Sequence, residues 1–254
     1  RDGTIDLDHL KELLRPDTIV VAVTMVDSEL GVVQPVQEIA EILKDHPHCH
    51  LHVDATQAVG KIPVSFEGVD TMSLTAHKFY GLNGIGLLLK RRNLALEPLI
   101  HGGESTTIYR SGTPTVALAS SLALALELAV EQLPEHAEAV QKANAFLRTE
   151  LAKYPKVRIN SPENAIPHIL NLSVQDVKGT VFQRELNEEG VCVSVKSACS
   201  SDGLPSRAVF AVSRDRRNAL SSWRVSLSHQ TTEEDLRGFL AAFDRCYRRL
   251  TETK

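Results

Sequence analysis

Cysteine is scarce in this sequence and scattered. Cys49, Cys192, Cys199 and Cys246 stand at irregular spacings and form no Cys-x-x-Cys pair. That rules out the density of a disulfide scaffold and suits a reducing cytosol or organelle matrix. Charge of one sign is not in excess either. Lys and Arg number 28 against 32 Asp and Glu, a formal net charge of -4. Such a balance gives no push toward nucleic acid or an anionic membrane surface. No apolar run reaches transmembrane length, and no signal peptide is visible. Internal repeats and low-complexity tracts are missing. So is an initiator methionine: the chain opens RDGTIDLDHL, which reads as the middle of a domain, and an N-terminal portion is expected to precede it. What is there is ordinary for a soluble globular protein. The 254 residues suffice for a sizeable core and one or two domains.

The first half reads as alternating strand and helix. Leu7 to Leu14 has apolar residues near helical spacing, and Pro16 breaks it. Thr18 to Val26 is nearly continuous in apolar and β-branched residues, the pattern of a strand buried on both faces. A turn containing Gly31 follows. Pro35 to Lys44 is predicted helical, His50 to Asp54 a strand, Met72 to Thr75 another, and Gly84 to Leu89 a fourth. Strand, helix, strand with short links is a βαβ unit, so the sheet is expected to be mostly parallel. Pro114 to Leu133 is Ala/Leu-rich and reads as a largely buried helix, and His136 to Tyr154 as a second.

A domain boundary is placed near Pro134, dividing residues 1–133 from 134–254. Beyond it the pattern is α+β. A strand is expected at Ile169 to Val174, a helix at Thr180 to Glu189, and strands at Val191 to Val195 and Trp223 to Leu227. A polar segment spans Lys196 to Asn218. The last helix, Glu233 to Leu250, is expected to open on a capping box of Thr231 and Glu234.

Ligands of parallel sheets bind outside the carboxyl ends of the strands. Ser28, Asp54 and the run Thr75 to Lys78 all fall at such ends although they are far apart in sequence. Taken alone, an Asp and a Lys 24 residues apart are more often a solvated pair than a site. His48, His50, His52 and Asp54 alternate along one strand face. Collinear strand residues converge poorly on one ion, so a solvated or core-rim strip is the better reading than a metal site. Cys192, inside an apolar run, suits a small buried hydrophobe. Cys199 sits among polar residues with Gly203 close by, as an exposed reactive thiol would.

Several runs together carry a resemblance. His52-Val53-Asp54-Ala55-Thr56-Gln57-Ala58-Val59-Gly60 is similar to the H-x-D-A-x-Q-A-x-G segment of class V aminotransferases, a pyridoxal-phosphate (PLP) family. Thr75-Ala76-His77-Lys78 resembles its S/T-x-H-K, Arg110 to Thr113 its R-S-G-T, Ser197 to Ser201 its S-A-C-S/T-S, and Ser222 to Ser226 its S-x-R-x-S. The runs arrive in family order and, with the Thr231-to-Leu236 match, the likeness spans about Gly3 to Leu250. Within the family, the NifS/IscS-type cysteine desulfurases are most similar.

The resemblance implies a fold-type-I large domain with a mostly parallel sheet, followed by a small α+β domain carrying the catalytic-cysteine loop. It implies that Asp54 faces the pyridine nitrogen of PLP and Gln57 its ring hydroxyl. Thr75 and His77 would hold the phosphate, and Lys78 would attach the cofactor covalently. Thr113 would reach the phosphate of a neighbouring subunit, hence a homodimer; on its own it also reads as a helix N-cap before Pro114. Arg224 would clamp the substrate carboxylate, and Cys199 would take the sulfur of L-cysteine as a persulfide and pass it to an acceptor protein.

Three departures stand out. Ser28 occupies the place of an asparagine that contacts the ring hydroxyl. His101 to Tyr109 replaces a glycine-rich turn, with Glu104 and Ile108 at altered positions. The family's N-terminal phosphate loop and ring-stacking residue have no counterpart. Other class V chemistries (aminotransfer, selenocysteine or cysteine-sulfinate lysis) and a truncated, non-catalytic relative are the alternatives.

Overall fold

A computed structural model describes residues 2–103, 107–196 and 204–252. The chain forms two compact units. One comprises Asp6–Met25 and Pro35–Gln132, the other Arg1–Ile5, Val26–Gln34 and Leu133–Lys254.

The first unit is built on a four-stranded sheet of β1 (Val20–Thr24), β2 (His50–Asp54), β3 (Thr71–Thr75) and β4 (Gly86–Lys90), in that spatial order. β1–β2 and β2–β3 are parallel and β3–β4 is antiparallel. Alternation along β2 and β3 sends Leu51, Val53, Met72 and Leu74 into the core. The other face carries His50, His52 and Asp54 beside Thr71, Ser73 and Thr75, and His52 Nδ1 meets Thr71 Oγ1 at 2.8 Å. Helix α1 (Leu7–Leu13) is capped by Asp6. Helix α2 (Val36–Leu43) packs on β2 and buries Val36, Ile39, Ala40 and Leu43, the apolar stripe its sequence lays out.

Two expectations about burial fail in this unit. Among the described residues β1 stands at the edge of the sheet, and it is not covered on both faces: Val20 is 52% exposed and Ile19 beside it 68%. Helix α3 (Val116–Glu131) buries only Leu122 and Ala129, leaving Leu124, Leu128 and Val130 exposed. The physical reason is the same in both. Apolar residues record what an element is able to bury, and neighbouring elements decide what is covered.

The second unit holds a three-stranded antiparallel sheet, β5 (Val157–Ile159), β6 (Ile169–Val174) and β7 (Ser222–Ser226), with β6 central and buried throughout. Helices α4 (Leu133–Leu151), α5 (Gly179–Glu188), α6 (Arg207–Ser213), α7 (Arg216–Ser221) and α8 (Glu233–Thr251) complete it. Trp223 stacks on Phe182 with centroids 5.1 Å apart, and Phe243 packs against both. Gly179 opens α5 against the Ser222 carbonyl, where any Cβ would collide.

Three sequence expectations need correction here, and a polar run left without elements gains two helices. Val191 to Val195 is no strand; only Ser194 bridges β7, at Arg224. Cys192 is exposed, not a core residue. The polar run from Lys196 to Asn218 contains α6 and the start of α7, whose N-caps Ser206 and Asp215 are the starting signals. The capping box of α8 is Thr232 with Asp235, one residue later than expected. Both pairs have the right spacing, but Thr231 Oγ1 is occupied by the Ser228 amide at 3.0 Å.

The Val26–Gln34 excursion is stitched into this second unit. Asp27 Oδ1 accepts from the amides of Glu29 (3.0 Å) and Leu30 (2.6 Å). Ser161 Oγ donates to Leu30 O at 2.7 Å, and Ile166 N to Gly31 O at 2.8 Å. Gly31 has φ +79°, and a Cβ there would lie 3.0 Å from that of Ile169, so glycine is required twice over.

Candidate active site

In the first unit, the parallel strands β2 and β3 deliver their carboxyl ends to the same sheet edge. Asp54 is the last residue of β2 and is half-buried. Its main chain is fixed on one side by Met25 N donating to Asp54 O at 2.8 Å, and just beyond it by Ala55 N donating to Ser73 O at 2.9 Å. Its Oδ1 accepts from Thr56 N at 2.9 Å, which orients the carboxylate. Oδ2 has no hydrogen-bond partner among the described residues. Gln57 follows on the turn, half-buried. Gly60, with φ +73°, closes that turn; a Cβ would lie 3.1 Å from that of Phe79, so the backbone passes close behind Lys78.

β3 ends at Thr75, and a single 3-10 turn, Ala76–Lys78, hangs from it. Ala76 is buried as the anchor; His77 and Lys78 are exposed. The Thr75 hydroxyl donates to Ile85 O at 3.1 Å and also meets His77 Nδ1 at 3.1 Å. Lys61 was not singled out in the sequence. Its Nζ donates to Lys78 O at 3.3 Å. Burial, and secondarily the charge of Lys78, push the Lys61 ammonium down to about 8. No sequence signal marks it beyond its place after Gly60. Thr113 is exposed in the segment before α3, and the N-cap of that helix is Thr115.

In the second unit, Arg224 occupies the middle of β7 and is half-buried. Its main chain bonds Ser194 in both directions, Arg224 N to Ser194 O at 2.6 Å and Ser194 N to Arg224 O at 3.1 Å. Its Nη1 donates to Ser28 O. Its Nε is buried with no partner among the described residues. Burial pushes the guanidinium down from its usual range, and the carboxylates of Glu29 and Asp27 oppose this. Arg224 also lines a cavity of about 380 Å³ with Cys192, Ser194, Ser226 and Ser228. Ser28 thus lies in the unit of Arg224, its carbonyl taken by that guanidinium. Cys199 and Glu104 lie outside the described residues. Among the described residues, no three His, Cys, Asp or Glu side chains are grouped to hold a metal ion.

These features coincide with a family relationship. The aminotransferase class-V family matches residues 1–239, and the chain belongs to that family. Within it, the chain is 37% identical over 255 residues to a protein named cysteine desulfurase IscS from Dictyoglomus turgidum, covering 98% of this chain and 64% of the relative. It is 34% identical to a NifS/IcsS protein homolog of Lactobacillus delbrueckii subsp. bulgaricus, covering 99% of this chain and 67% of that one. Among solved structures, a NifS-like protein superposes with a TM-score of 0.89 at 33% identity over 99% of this chain and 66% of its own. A structure described as SspA in complex with cysteine superposes with a TM-score of 0.74 at 29% identity, over 89% of this chain and 63% of its own. The chain therefore spans about two thirds of the length of these relatives. The fold is that of the NifS-like, fold-type-I enzymes, and family and relatives are PLP-dependent.

The residues present fit that cofactor. Asp54 has Oδ2 without a partner among the described residues, suited to a protonated ring nitrogen, and Gln57 supplies an amide donor on the turn that follows. Thr75 and His77 offer hydrogen-bonding groups to a phosphate, and Lys78 an exposed amine on a fixed turn.

Proposed function

We propose that this protein is a PLP-dependent cysteine desulfurase, which converts L-cysteine to L-alanine and keeps the sulfur as a persulfide on Cys199. The observation that carries the reading is Lys78 exposed on the turn that closes β3, beside the strand that ends in Asp54. The names of the relatives support the activity, and the cysteine-bound neighbour supports the substrate.

Asp54, Gln57, Thr75, His77 and Lys78 would hold the cofactor, and Thr113 would complete the phosphate site of a second subunit in a homodimer. When bound, the cofactor supplies an electron sink beside the substrate α-carbon. Lys78 Nζ would anchor it, and the same amine would hold the proton taken from the substrate α-carbon. Arg224 pairs with the substrate carboxylate through its fork of N–H donors. The Cys199 thiolate forms a bond to the substrate sulfur as the Cβ–S bond breaks, and the carbon skeleton leaves as L-alanine. The persulfide then passes to an acceptor protein of sulfur or iron–sulfur metabolism, in the cytoplasm or an organelle matrix. No single described helix is long and apolar enough to cross a membrane.

The test has two stages. Borohydride reduction of the PLP-loaded protein should leave pyridoxyl on Lys78 in a peptide map. In a separate, unreduced sample, L-cysteine with dithiothreitol to cleave the persulfide should yield equal amounts of sulfide and alanine, and Cys199→Ala should abolish both. Turnover that survives Cys199→Ala would redirect the assignment to aminotransfer. A protein that takes up no PLP would sink it.

A further inference from the structure

The role of Arg224 proposed above depends on how its guanidinium is aimed, and the site residues do not account for that. Two supports do. The first is the Ser28 carbonyl, which receives Nη1. The second is what holds that carbonyl in place. Glu29, the next residue, turns its carboxylate to Ser206, whose hydroxyl donates to Glu29 Oε2 at 2.5 Å. Ser206 is fully buried, and its Oγ also accepts from Val209 N at 3.1 Å as the N-cap of α6. Asn171, the β6 partner of Arg224, donates from Nδ2 to Glu29 O at 3.2 Å. Glu29 is thus tied through its side chain to α6 and through its carbonyl to the strand beside Arg224.

Glu29 does not neutralise the arginine. No carboxylate among the described residues forms an ion pair with Arg224, although Glu29 and Asp27 both attract it. Nη1 is tied down at the Ser28 carbonyl, while Nε has no partner among the described residues. A planar fork fixed at Nη1, with a buried Nε donor still unsatisfied among the described residues, has bonding capacity left for a carboxylate.

We propose that Glu29 is a positioning residue for Arg224. Its bond to Ser206 fixes the turn that presents the Ser28 carbonyl, and so aims the guanidinium at the substrate carboxylate. This rests on the carboxylate-binding reading of Arg224.

The experiment measures dissociation constants of the PLP-loaded protein for L-alanine and for ethylamine, which is alanine without its carboxylate. Their ratio reports carboxylate recognition alone. Glu29→Ala should reduce the preference for alanine about tenfold. Ser206→Ala, which leaves Glu29 intact, should also reduce it, and the double variant should lose no more than the worse single one. Glu29→Gln, whose amide oxygen still accepts from Ser206, should restore the preference to within about threefold of the parent. An unchanged ratio in Ser206→Ala overturns the proposal, even where Glu29→Ala fails to fold. So does a Glu29→Gln variant as damaged as Glu29→Ala, or equal weakening for both ligands. Arg224→Lys is the control: if it leaves the ratio unchanged, the assignment of Arg224 itself is at fault.

Discussion

Lys61 is a cation placed where a cation is poorly solvated, next to another one. Its amine is pushed down to about 8 from the ordinary 10.5, chiefly by burial and then by the Lys78 charge. Between those two pH values the folded protein holds Lys61 neutral while the unfolded chain keeps it protonated. The unfolded state then binds more protons, so the unfolding free energy rises with pH across that window and is lost again as pH falls through 8. Urea unfolding at pH 7.5, 9 and 10 should show this rise in the parent and not in Lys61→Met. Equal slopes would mean that Lys61 is solvated after all. At the residue scale several residues of the candidate site are legible as candidates. Asp54, Lys78 and Arg224 fall in motifs with a fixed spacing and a chemical reason. Lys61 and Glu29 were not legible. Lys61 reaches Lys78 across 17 positions and Glu29 reaches Ser206 across 177, and both bonds depend on tertiary placement.

Elements were legible in kind and less so in their edges and their burial. The β-branched run before Met25 does form a strand, and the heptad-like stripe of α2 does face β2. The segment from Val191 to Val195 has the composition of a strand, yet pairs only through Ser194, because composition does not supply a register. The start of α8 is a sharper case, since two overlapping pairs satisfy the same capping pattern. Thr232→Ala should cost about 1 kcal/mol of stability by removing the hydroxyl that accepts from Asp235 N. Glu234→Ala, in the register the structure does not use, should stay within about 0.5 kcal/mol. Denaturant midpoints of the two variants decide it, and the reverse order would place the cap one residue earlier.

For the whole molecule, order along the chain and order in space diverge. The sequence suggests a boundary near Pro134, and the short excursion Val26–Gln34 packs with residues that follow that point. Leu30 and Val32 share a small buried cluster with Val209 and Ala219. A fragment of residues 134–254 lacks half of that cluster and the carbonyls that receive Ser161 and Asn171. Expressed alone, it should melt broadly and at lower temperature than a version with residues 26–34 joined through a flexible linker. Identical melts would show the excursion to be dispensable. No periodicity reports such an exchange, because a nine-residue turn carries no signal of which side it will join.

That excursion also sets a schedule. Its bonds to Ser161 and Ser206 close loops of 131 and 177 residues. Such long loops form late and slow the folding of the unit that needs them. At ribosomal rates of roughly 5–20 residues per second, the partners of Leu30 emerge on the order of ten to thirty seconds after it. Through that interval Leu30 and Val32, both buried at the end, lack the Val209 and Ala219 side chains they finally pack with. The nascent chain is most open to chaperone capture, and to aggregation, in the span of synthesis between its first strand and its last sheet.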